Sequence, residues 1–258
     1  MFVTDVPILS YHQITADIPS VNLGFAVSAK QLKHQMYYLY ENGYICMSLV
    51  DVLRSSDNKS PNSKKTFALT FDDGYENFHT LAYPTLHELG FTATVFLIAG
   101  KTFGRNDPKR EADKRYLTWE QIEFLQNNNL TFGSHTYSHA LLTKLSCHEI
   151  QRELVNSKTY LEAGLGQEIR WLAYPHGASN DEIQKMARDV GYQAAFGGSR
   201  GRSNQFNIRR QFCLREESIL VFAFRLMRIF QNFERLRNET DVGRFFREVK
   251  HRFGLAGR

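Results

Sequence analysis

The chain alternates short apolar runs with longer segments in which apolar positions recur at helical spacing. Runs such as 66–71 and 92–98 are rich in β-branched and aromatic residues, which favour buried strands. Segment 28–42 begins at a capping serine and ends before Gly43, as an amphipathic helix does. In chain order the pattern predicts strand 6–11, helix 28–42, strand 44–47, helix 49–54, strand 66–71, helix 76–89, strand 92–98, helix 118–128, strand 130–132, helix 146–164, strand 170–174, helix 180–190 and strand 193–196.

About seven strand–helix repeats follow one another without a break in composition. This order predicts a parallel sheet that is closed, or nearly closed, into a barrel with helices around it. From about residue 216 the alternation stops and a helical, basic tail begins. We therefore predict an α/β barrel domain over residues 1–215, followed by a helical C-terminal extension over 216–258.

Unusual polar residues stand directly after four of the predicted strands, where barrel enzymes place their chemistry. One such place holds the adjacent carboxylates Asp72 and Asp73. Two neighbouring carboxylates raise each other's pKa, and the pair needs a reason. One reading is a turn whose first Asp caps the next helix. The other gives the carboxylates separate tasks, one as a ligand of a cation and the other as a general base.

His135 and His139 follow another strand. Residues four apart in a helical turn face the same way, so these imidazoles could reach one metal, although such a pair also arises by chance. Two imidazoles and one carboxylate form a facial set with open positions for water and substrate. Zinc is the first choice for such a site, and nickel, cobalt, manganese or iron also suit it.

The composition indicates a folded, non-secreted protein. The 258 residues are 42% hydrophobic and 13% aromatic, which is ample for a packed core. Cys46, Cys147 and Cys213 show no zinc or disulfide pattern and suit reduced thiols. We find no signal peptide and no apolar stretch near the roughly 20 residues that span a bilayer. The expected location is the cytoplasm, at most peripheral to the inner face of the membrane.

The net charge of +5 belongs to the C-terminal end of the chain. Between Arg225 and Arg258, nine Lys or Arg residues stand against four Asp or Glu residues. Apolar residues from Ile219 to Phe230 recur at helical spacing, so this segment either packs across the barrel or lies on an anionic membrane. No base-reading motif accompanies the charge, and we expect no nucleic-acid partner.

Three motifs, TFDDG, HTYSH and AYPHG, occur in this order together with the opening PILSYH and the stretch GFAVSAKQLKHQMYYLYENGY. In these motifs the chain resembles the NodB-homology polysaccharide deacetylases, carbohydrate esterase family 4, from about residue 7 to 214. The resemblance implies a distorted (β/α)7 barrel and a metal-dependent hydrolase that releases acetate from an N-acetylated amino sugar. The implied substrates are an N-acetylated glycan, as in exopolysaccharide biosynthesis, or a lipid-linked sugar.

The resemblance also implies a role for each site residue. Asp72 matches the catalytic base of the family, and Asp73, His135 and His139 match its metal ligands. His176 follows the motif proline, where a backbone N–H helps to bind the oxyanion.

Two positions depart from the family pattern. Ala173 stands where many members carry an arginine that orients the base, and Arg209 or Arg210 could replace it. The late Leu-x-His motif that supplies the general acid is also missing. Tyr11-His12 instead resembles the circularly permuted poly-N-acetylglucosamine deacetylases, which supply this histidine near the N-terminus. His12 is therefore the predicted general acid, and the alternative is a buried, hydrogen-bonded histidine.

Other readings keep parts of this picture. The same fold and metal could serve a non-sugar amide, or the chain could be an inactive sugar-binding module, although the intact motif residues argue against decay. Three aromatic residues could line a sugar cleft or pack in the core, and two further histidines are expected on a helix surface. These are Tyr75, Tyr137 and Tyr174, and His79 and His87.

Overall fold

The computed structural model describes residues 6–17, 25–57, 65–102, 116–199, 203–215 and 217–227. The strands in these ranges are β1 (Ile8–Tyr11), β2 (Ile14–Thr15), β3 (Val27–Ser28), β4 (Ile45–Cys46), β5 (Thr66–Phe71), β6 (Thr94–Leu97), β7 (Thr131–Ser134), β8 (Trp171–Ala173), β9 (Ala194–Phe196) and β10 (Gln211–Phe212). The α-helices are α1 (Ala29–Glu41), α2 (Leu49–Asp57), α3 (Tyr83–Glu88), α4 (Trp119–Asn127), α5 (Cys147–Leu165), α6 (Asp181–Asp189) and α7 (Ile219–Leu226).

Seven strands form one curled parallel sheet in the order β10-β1-β5-β6-β7-β8-β9. β4 pairs with the first two residues of β5, and β2 and β3 form a separate parallel pair. Each long crossover between neighbouring strands carries a helix, as a parallel sheet requires. This is the predicted α/β barrel.

The two edges of the sheet are linked by residues 208–212 rather than by direct pairing of β9 with β10. The amide of Ile208 donates to the carbonyl of Ala195 (2.9 Å), and the amide of Gly197 donates to the carbonyl of Ile208 (2.9 Å). Four residues later, Phe212 pairs with Ser10 of β1. One short segment therefore spans both edges, which makes the barrel distorted.

Alternation along the strands separates the barrel interior from the helix-facing layer. In β5, Ala68 belongs to an apolar cluster with Phe96 and Phe196, while Phe67 and Leu69 pack in the larger cluster under the helices. Successive strand residues point to opposite faces, so the position four residues after Ala68 faces inward at the strand end. That position is occupied by Asp72. By the same rule, His12, which stands four residues after Ile8 of β1, faces inward at the end of that strand.

Helix boundaries follow the capping residues that the sequence shows. The Ser28 hydroxyl accepts a hydrogen bond from the Gln31 amide (3.1 Å) at the start of α1. Ser146 and Glu149 form a reciprocal capping box at the start of α5, which ends at Gly166 with a φ of 65°. These predicted helices are confirmed to within a few residues.

One predicted helix contains an irregular turn, and one local prediction is wrong. Segment 76–89 is helical as predicted, but a π-helical turn over Phe78–Ala82 precedes α3. Pro84 lacks an amide hydrogen and crowds the carbonyl four residues earlier, which a wider turn accommodates. The pair His135 and His139 does not lie in a helical turn but in an irregular loop after β7. Left-handed conformations at Thr136 and His139, each with a φ of 65°, exclude a helix there.

Of the predicted tail, the structure describes residues 217–227, in which α7 packs against the barrel through Phe222 and Leu226. Residues 228–258 lie outside the described ranges, and the boundary at residue 215 stays a prediction. Within the described residues, no helix is both long enough and apolar enough to cross a bilayer.

Candidate active site

The polar residues that follow the strands gather at the carboxyl end of the barrel. Because the strands are parallel, these strand ends share one edge of the sheet. The structure brings all six predicted site residues into one connected group. Its contacts are His12 with Asp72, Asp73 with His135 and His139, and His139 with His176.

Three of these residues converge on a single point. Oδ1 of Asp73 lies 3.6 Å from Nε2 of His135 and 3.4 Å from Nε2 of His139. One ligand atom from each residue lies within 4.8 Å of the others. Nδ1 of His135 lies 2.7 Å from the carbonyl oxygen of Ala173, an acceptor that fixes the proton on Nδ1 and leaves Nε2 to bind a cation.

The donor set fits a divalent metal. Oδ1 of Asp73 is buried and has no hydrogen-bond partner among the described residues, which would be costly for a carboxylate without a cation. Burial lowers the pKa of His135 to about 4, against the opposing charges of Asp72 and Asp73. Burial, reinforced by His176, also lowers the pKa of His139. Both imidazoles are therefore neutral near pH 7, as metal ligands must be.

Unusual backbone conformations concentrate at this point. Among the described residues, five besides glycine have a positive φ, and four of them are Asp73, Thr136, His139 and His176. Gly74 continues the turn after β5 with a φ of 70°, and a Cβ there would lie 2.7 Å from Cδ2 of Leu97. Such conformations cost free energy and cluster at functional sites.

The loop that carries the two imidazoles is held by Glu153 of α5. Oε2 of Glu153 accepts hydrogen bonds from the amides of Tyr137 (3.0 Å) and Ser138 (2.9 Å), and Oε1 accepts one from the Ser138 hydroxyl (2.6 Å). The Thr136 hydroxyl accepts a hydrogen bond from the His139 amide (3.2 Å). Glu153 lies on a helix face with no motif around it, so the sequence gives no signal of this contact.

Asp72 has a different environment from Asp73. Arg210 donates to both of its carboxylate oxygens, from Nη1 to Oδ1 (2.6 Å) and from Nη2 to Oδ2 (2.8 Å). Both side chains are buried. Burial alone raises the pKa of Asp72, but the Arg210 guanidinium, with His135 and His12, lowers the pKa of this carboxyl well below its usual range.

This pair bears on two alternatives that the sequence left open. Arg210, one of the two candidate arginines, binds the carboxylate of Asp72. The carboxylate of Asp72 is bound by Arg210 and does not cap the next helix.

His12 stands beside the same carboxylate. Its Nε2 lies 3.6 Å from Oδ2 of Asp72. Its Nδ1 is buried and has no hydrogen-bond partner among the described residues, so His12 is not the hydrogen-bonded core histidine of the alternative reading. The imidazole stacks on Phe25, with ring centroids 5.0 Å apart, and contacts Phe212 at 5.8 Å.

His176 is exposed and lies in a tight turn over Pro175–Gly177, where its φ is 59°. Its ring centroid is 5.0 Å from that of His139. Tyr174, one of the aromatic candidates for a sugar cleft, is instead fully buried and donates a hydrogen bond to the carbonyl of Phe206 (2.9 Å).

The remaining tyrosine and histidine candidates differ in exposure. Tyr137 is exposed and Tyr75 is half-buried. His87 is exposed, as expected, while His79 is half-buried between Tyr83 and Phe124.

Comparison with known proteins decides the family. The family model described as polysaccharide deacetylase matches residues 59–195, more than half of the chain. The chain belongs to this family. The resemblance seen in the motifs is thereby confirmed.

Individual relatives agree. The Bacillus subtilis protein YxkH, named for the same family, is 33% identical over 189 residues, 73% of this chain and 62% of its own length. The poly-beta-1,6-N-acetyl-D-glucosamine N-deacetylase of Staphylococcus aureus is 27% identical over 188 residues, 67% of this chain and 61% of its own length. The chain thus spans about three fifths of these relatives.

A solved structure confirms the fold. The Streptococcus pyogenes deacetylase PplD, in complex with acetate, superposes with a TM-score of 0.76 at 27% identity. The match covers 86% of this chain and 98% of that one. The barrel around the site is therefore the barrel of the family.

Proposed function

We propose that this protein hydrolyses the N-acetyl group of an amino sugar in a glycan or glycan precursor and releases acetate. One observation carries the proposal: two adjacent carboxylates at one strand end have opposite environments. Asp72 is hydrogen-bonded to a buried arginine. Asp73 directs a buried oxygen, which has no hydrogen-bond partner among the described residues, towards two imidazoles. Separate environments are what separate tasks, a proton acceptor and a metal ligand, require.

A divalent metal bound by Asp73, His135 and His139 would supply a Lewis acid that polarises the acetyl carbonyl and activates water for attack. Zinc, nickel, cobalt, manganese and iron all suit two imidazole nitrogens and one carboxylate oxygen, with zinc as the first choice.

Asp72 serves as the general base. Arg210 keeps its carboxylate ionised and in one orientation, and each carboxylate oxygen retains a lone pair that can accept the proton of the attacking water. The proton goes to a group that is charged before the reaction begins. The bidentate geometry fixes where that proton is received.

His12 serves as the general acid. An amine is a poor leaving group, so the C–N bond of an amide breaks only when its nitrogen is protonated. Nε2 of His12 lies 3.6 Å from the base carboxylate, so acid and base stand side by side. The His176 amide, presented by a left-handed turn, is the proposed donor to the oxyanion.

The names of the relatives guide the substrate class. The Staphylococcus aureus relative is named for poly-beta-1,6-N-acetyl-D-glucosamine, and on that likeness we propose an N-acetylated glucosamine unit for this chain. We further propose that the substrate is an N-acetylated glycan or a lipid-linked sugar and that the protein acts in the cytoplasm. In this proposal α7 lies near an anionic membrane surface. The exposed apolar residues of α7 support that contact.

The decisive experiment is acetate release from a panel of oligomeric, nucleotide-linked and lipid-linked N-acetyl sugars. Chelation is expected to abolish hydrolysis, and returning zinc is expected to restore it. Full activity in a verified metal-free preparation would falsify the metal proposal, and no release from any substrate would reject the activity.

Two variants separate the carboxylates. Asp72→Asn is expected to keep stoichiometric metal but to lose turnover by a factor of about 10²–10⁴, because only the base is gone. Asp73→Asn is expected to lose the metal itself. Metal content by mass spectrometry checks both, and the reverse result would exchange the two roles.

A further inference from the structure

A histidine used for proton transfer needs a fixed ring, and within the described part of the chain no hydrogen bond to Nδ1 fixes the ring of His12. Rotation about the bond between Cβ and the imidazole ring has broad, shallow preferences. A hydrogen bond from the second ring nitrogen normally selects one orientation. Nδ1 of His12 is buried without such a partner among the described residues, and its Nε2 is 3.6 Å from Asp72, too far for a good hydrogen bond. Among the residues that the structure describes, polar contacts therefore do not hold the ring.

Two aromatic rings stand where they can do so. Phe25 lies face to face with the imidazole, with centroids 5.0 Å apart and planes at 23°. Phe212 approaches at 5.8 Å with a tilt of 42°, and the two phenyl rings are 5.4 Å apart. The three rings are therefore in mutual contact. Aromatic pairs in this distance range prefer such offset or tilted arrangements.

The two phenylalanines come from different parts of the barrel. Phe25 precedes β3, whose Val27 amide donates to the carbonyl of Gln13 (3.0 Å), next to His12 in the chain. Phe212 lies in β10 and pairs with Ser10 of β1, two residues before His12. Backbone hydrogen bonds on both sides thus fix the phenyl rings relative to the histidine.

We propose that Phe25 and Phe212 are positioning residues that hold the His12 imidazole by stacking, in place of a hydrogen bond to Nδ1. This rests on the proposed role of His12 as general acid. Phe25 contributes more, because only a face-to-face ring blocks rotation of the imidazole. Phe25 is 45% exposed, which a merely structural core residue would not be.

The first test needs no activity. In protein labelled with ¹³C and ¹⁵N at histidine, the ring protons of His12 are expected to be shifted upfield by the stacked phenyl ring. His12→Gln assigns the signals. Phe25→Ala should move them downfield and broaden them, and Phe25→Trp should keep them upfield. Signals that are the same in the parent and in Phe25→Ala would overturn the stacking proposal, whatever reaction the protein catalyses.

The second test measures turnover on two kinds of substrate. Phe25→Ala is expected to lower kcat on an N-acetyl sugar by about tenfold or more, since general acid catalysis contributes roughly 10²–10⁴ and only its alignment is lost. KM and metal content should change little. On an aryl acetate, whose leaving group needs no proton, turnover should stay near that of the parent. Phe25→Trp should rescue the amide reaction, and Phe212→Leu should cause a smaller loss.

Phe124→Ala is the matched control. Phe124 is 46% exposed, contacts His79 edge-on and lies on α4, so the same truncation there should affect neither substrate. Equal losses on both substrates in Phe25→Ala, or a change confined to KM, would make Phe25 a wall of the substrate cleft and overturn its positioning role. If the parent releases no acetate, the proposed function fails while the ring shifts still decide the stacking.

Discussion

At the scale of single residues, neighbouring carboxylates acquire different properties from what surrounds them. Asp72 and Asp73 are adjacent in the chain, yet Asp72 accepts two hydrogen bonds from Arg210. Oδ1 of Asp73 is buried and has no hydrogen-bond partner among the described residues. The left-handed conformation of Asp73 turns its side chain away from the direction that Asp72 takes. A difference of this kind cannot be read from the letters DD.

The Arg210–Asp72 pair predicts a large effect on stability. Arg210→Met leaves a buried carboxylate unpaired and should lower the free energy of unfolding by about 3–5 kcal/mol at pH 7. Arg210→Met combined with Asp72→Asn should recover most of this loss. Urea unfolding measures both, and a double variant as unstable as the single one would contradict the explanation.

The same pair predicts a pH dependence. Because the pKa of Asp72 in the folded protein is depressed, its contribution is present above the pKa of the unfolded chain, about 4, and is lost as the pH falls below it. In Arg210→Met the buried carboxyl can instead take up a proton. The destabilisation should therefore shrink between pH 7 and pH 4, and a constant difference over that range would argue against it.

At the scale of elements, the loop between β7 and α5 shows how a helix can position ligands from outside. The carboxylate of Glu153 accepts all three hydrogen bonds that tie Tyr137 and Ser138 to α5. These two residues lie between His135 and His139 in the chain. The conformation of the loop is thus supported by a residue that is not one of the three proposed ligands.

Glu153→Ala should therefore weaken metal binding without removing a ligand. Loss of such a supporting contact typically costs about 10–100-fold in metal affinity. Competition with a chromophoric chelator measures the affinity, and Glu168→Ala is the control, because Glu168 forms an exposed ion pair with Arg170. Unchanged affinity in Glu153→Ala would mean that the loop keeps its shape without this carboxylate.

Some elements could be predicted from the sequence and others could not. Capped helices such as α1 and α5 were predictable because their signals are local: Ser28, Ser146 and Gly166 act within one turn. The shape of the loop after β7 was not, because left-handed Thr136 leaves no local signal. Arg210 is 138 residues away from Asp72, and only closure of the barrel brings them together. The convergence of Asp73, His135 and His139 was predictable, because the motifs already grouped these three residues.

At the scale of the whole molecule, one surface remains apolar. α7 buries Phe222 and Leu226 against the barrel, yet most of its other apolar side chains are exposed, with Leu220 the most exposed at 79%. The Arg225 guanidinium donates to the carbonyl of Phe212 (2.6 Å) and so ties the helix to β10. An exposed apolar helix that precedes a basic segment is typical of a membrane-surface contact.

We expect the protein to co-sediment with anionic vesicles at low salt and to be released at high salt, since each basic residue near such a surface contributes about 1 kcal/mol. Leu220→Glu combined with Phe224→Glu should abolish binding and leave hydrolysis of a soluble substrate intact. Phe124→Glu, a similar change on α4, is the control. If the full chain ignores anionic vesicles, or the control behaves like the double variant, the membrane contact is rejected.

Closure of the barrel by residues 208–212 has a consequence for biosynthesis. A ribosome adds residues in chain order, so Asp72, Asp73, His135 and His139 leave the exit tunnel well before Arg210 does. Until β10 is synthesised, one edge of β1 has no partner strand, because β10 is among the last strands to be made. Asp72 therefore gains its contact with Arg210 only when residues 208–212 join the two edges of the sheet. A nascent chain that stops before residue 208 contains Asp72, Asp73 and both histidines but lacks Arg210 and the strand β10 that pairs with β1.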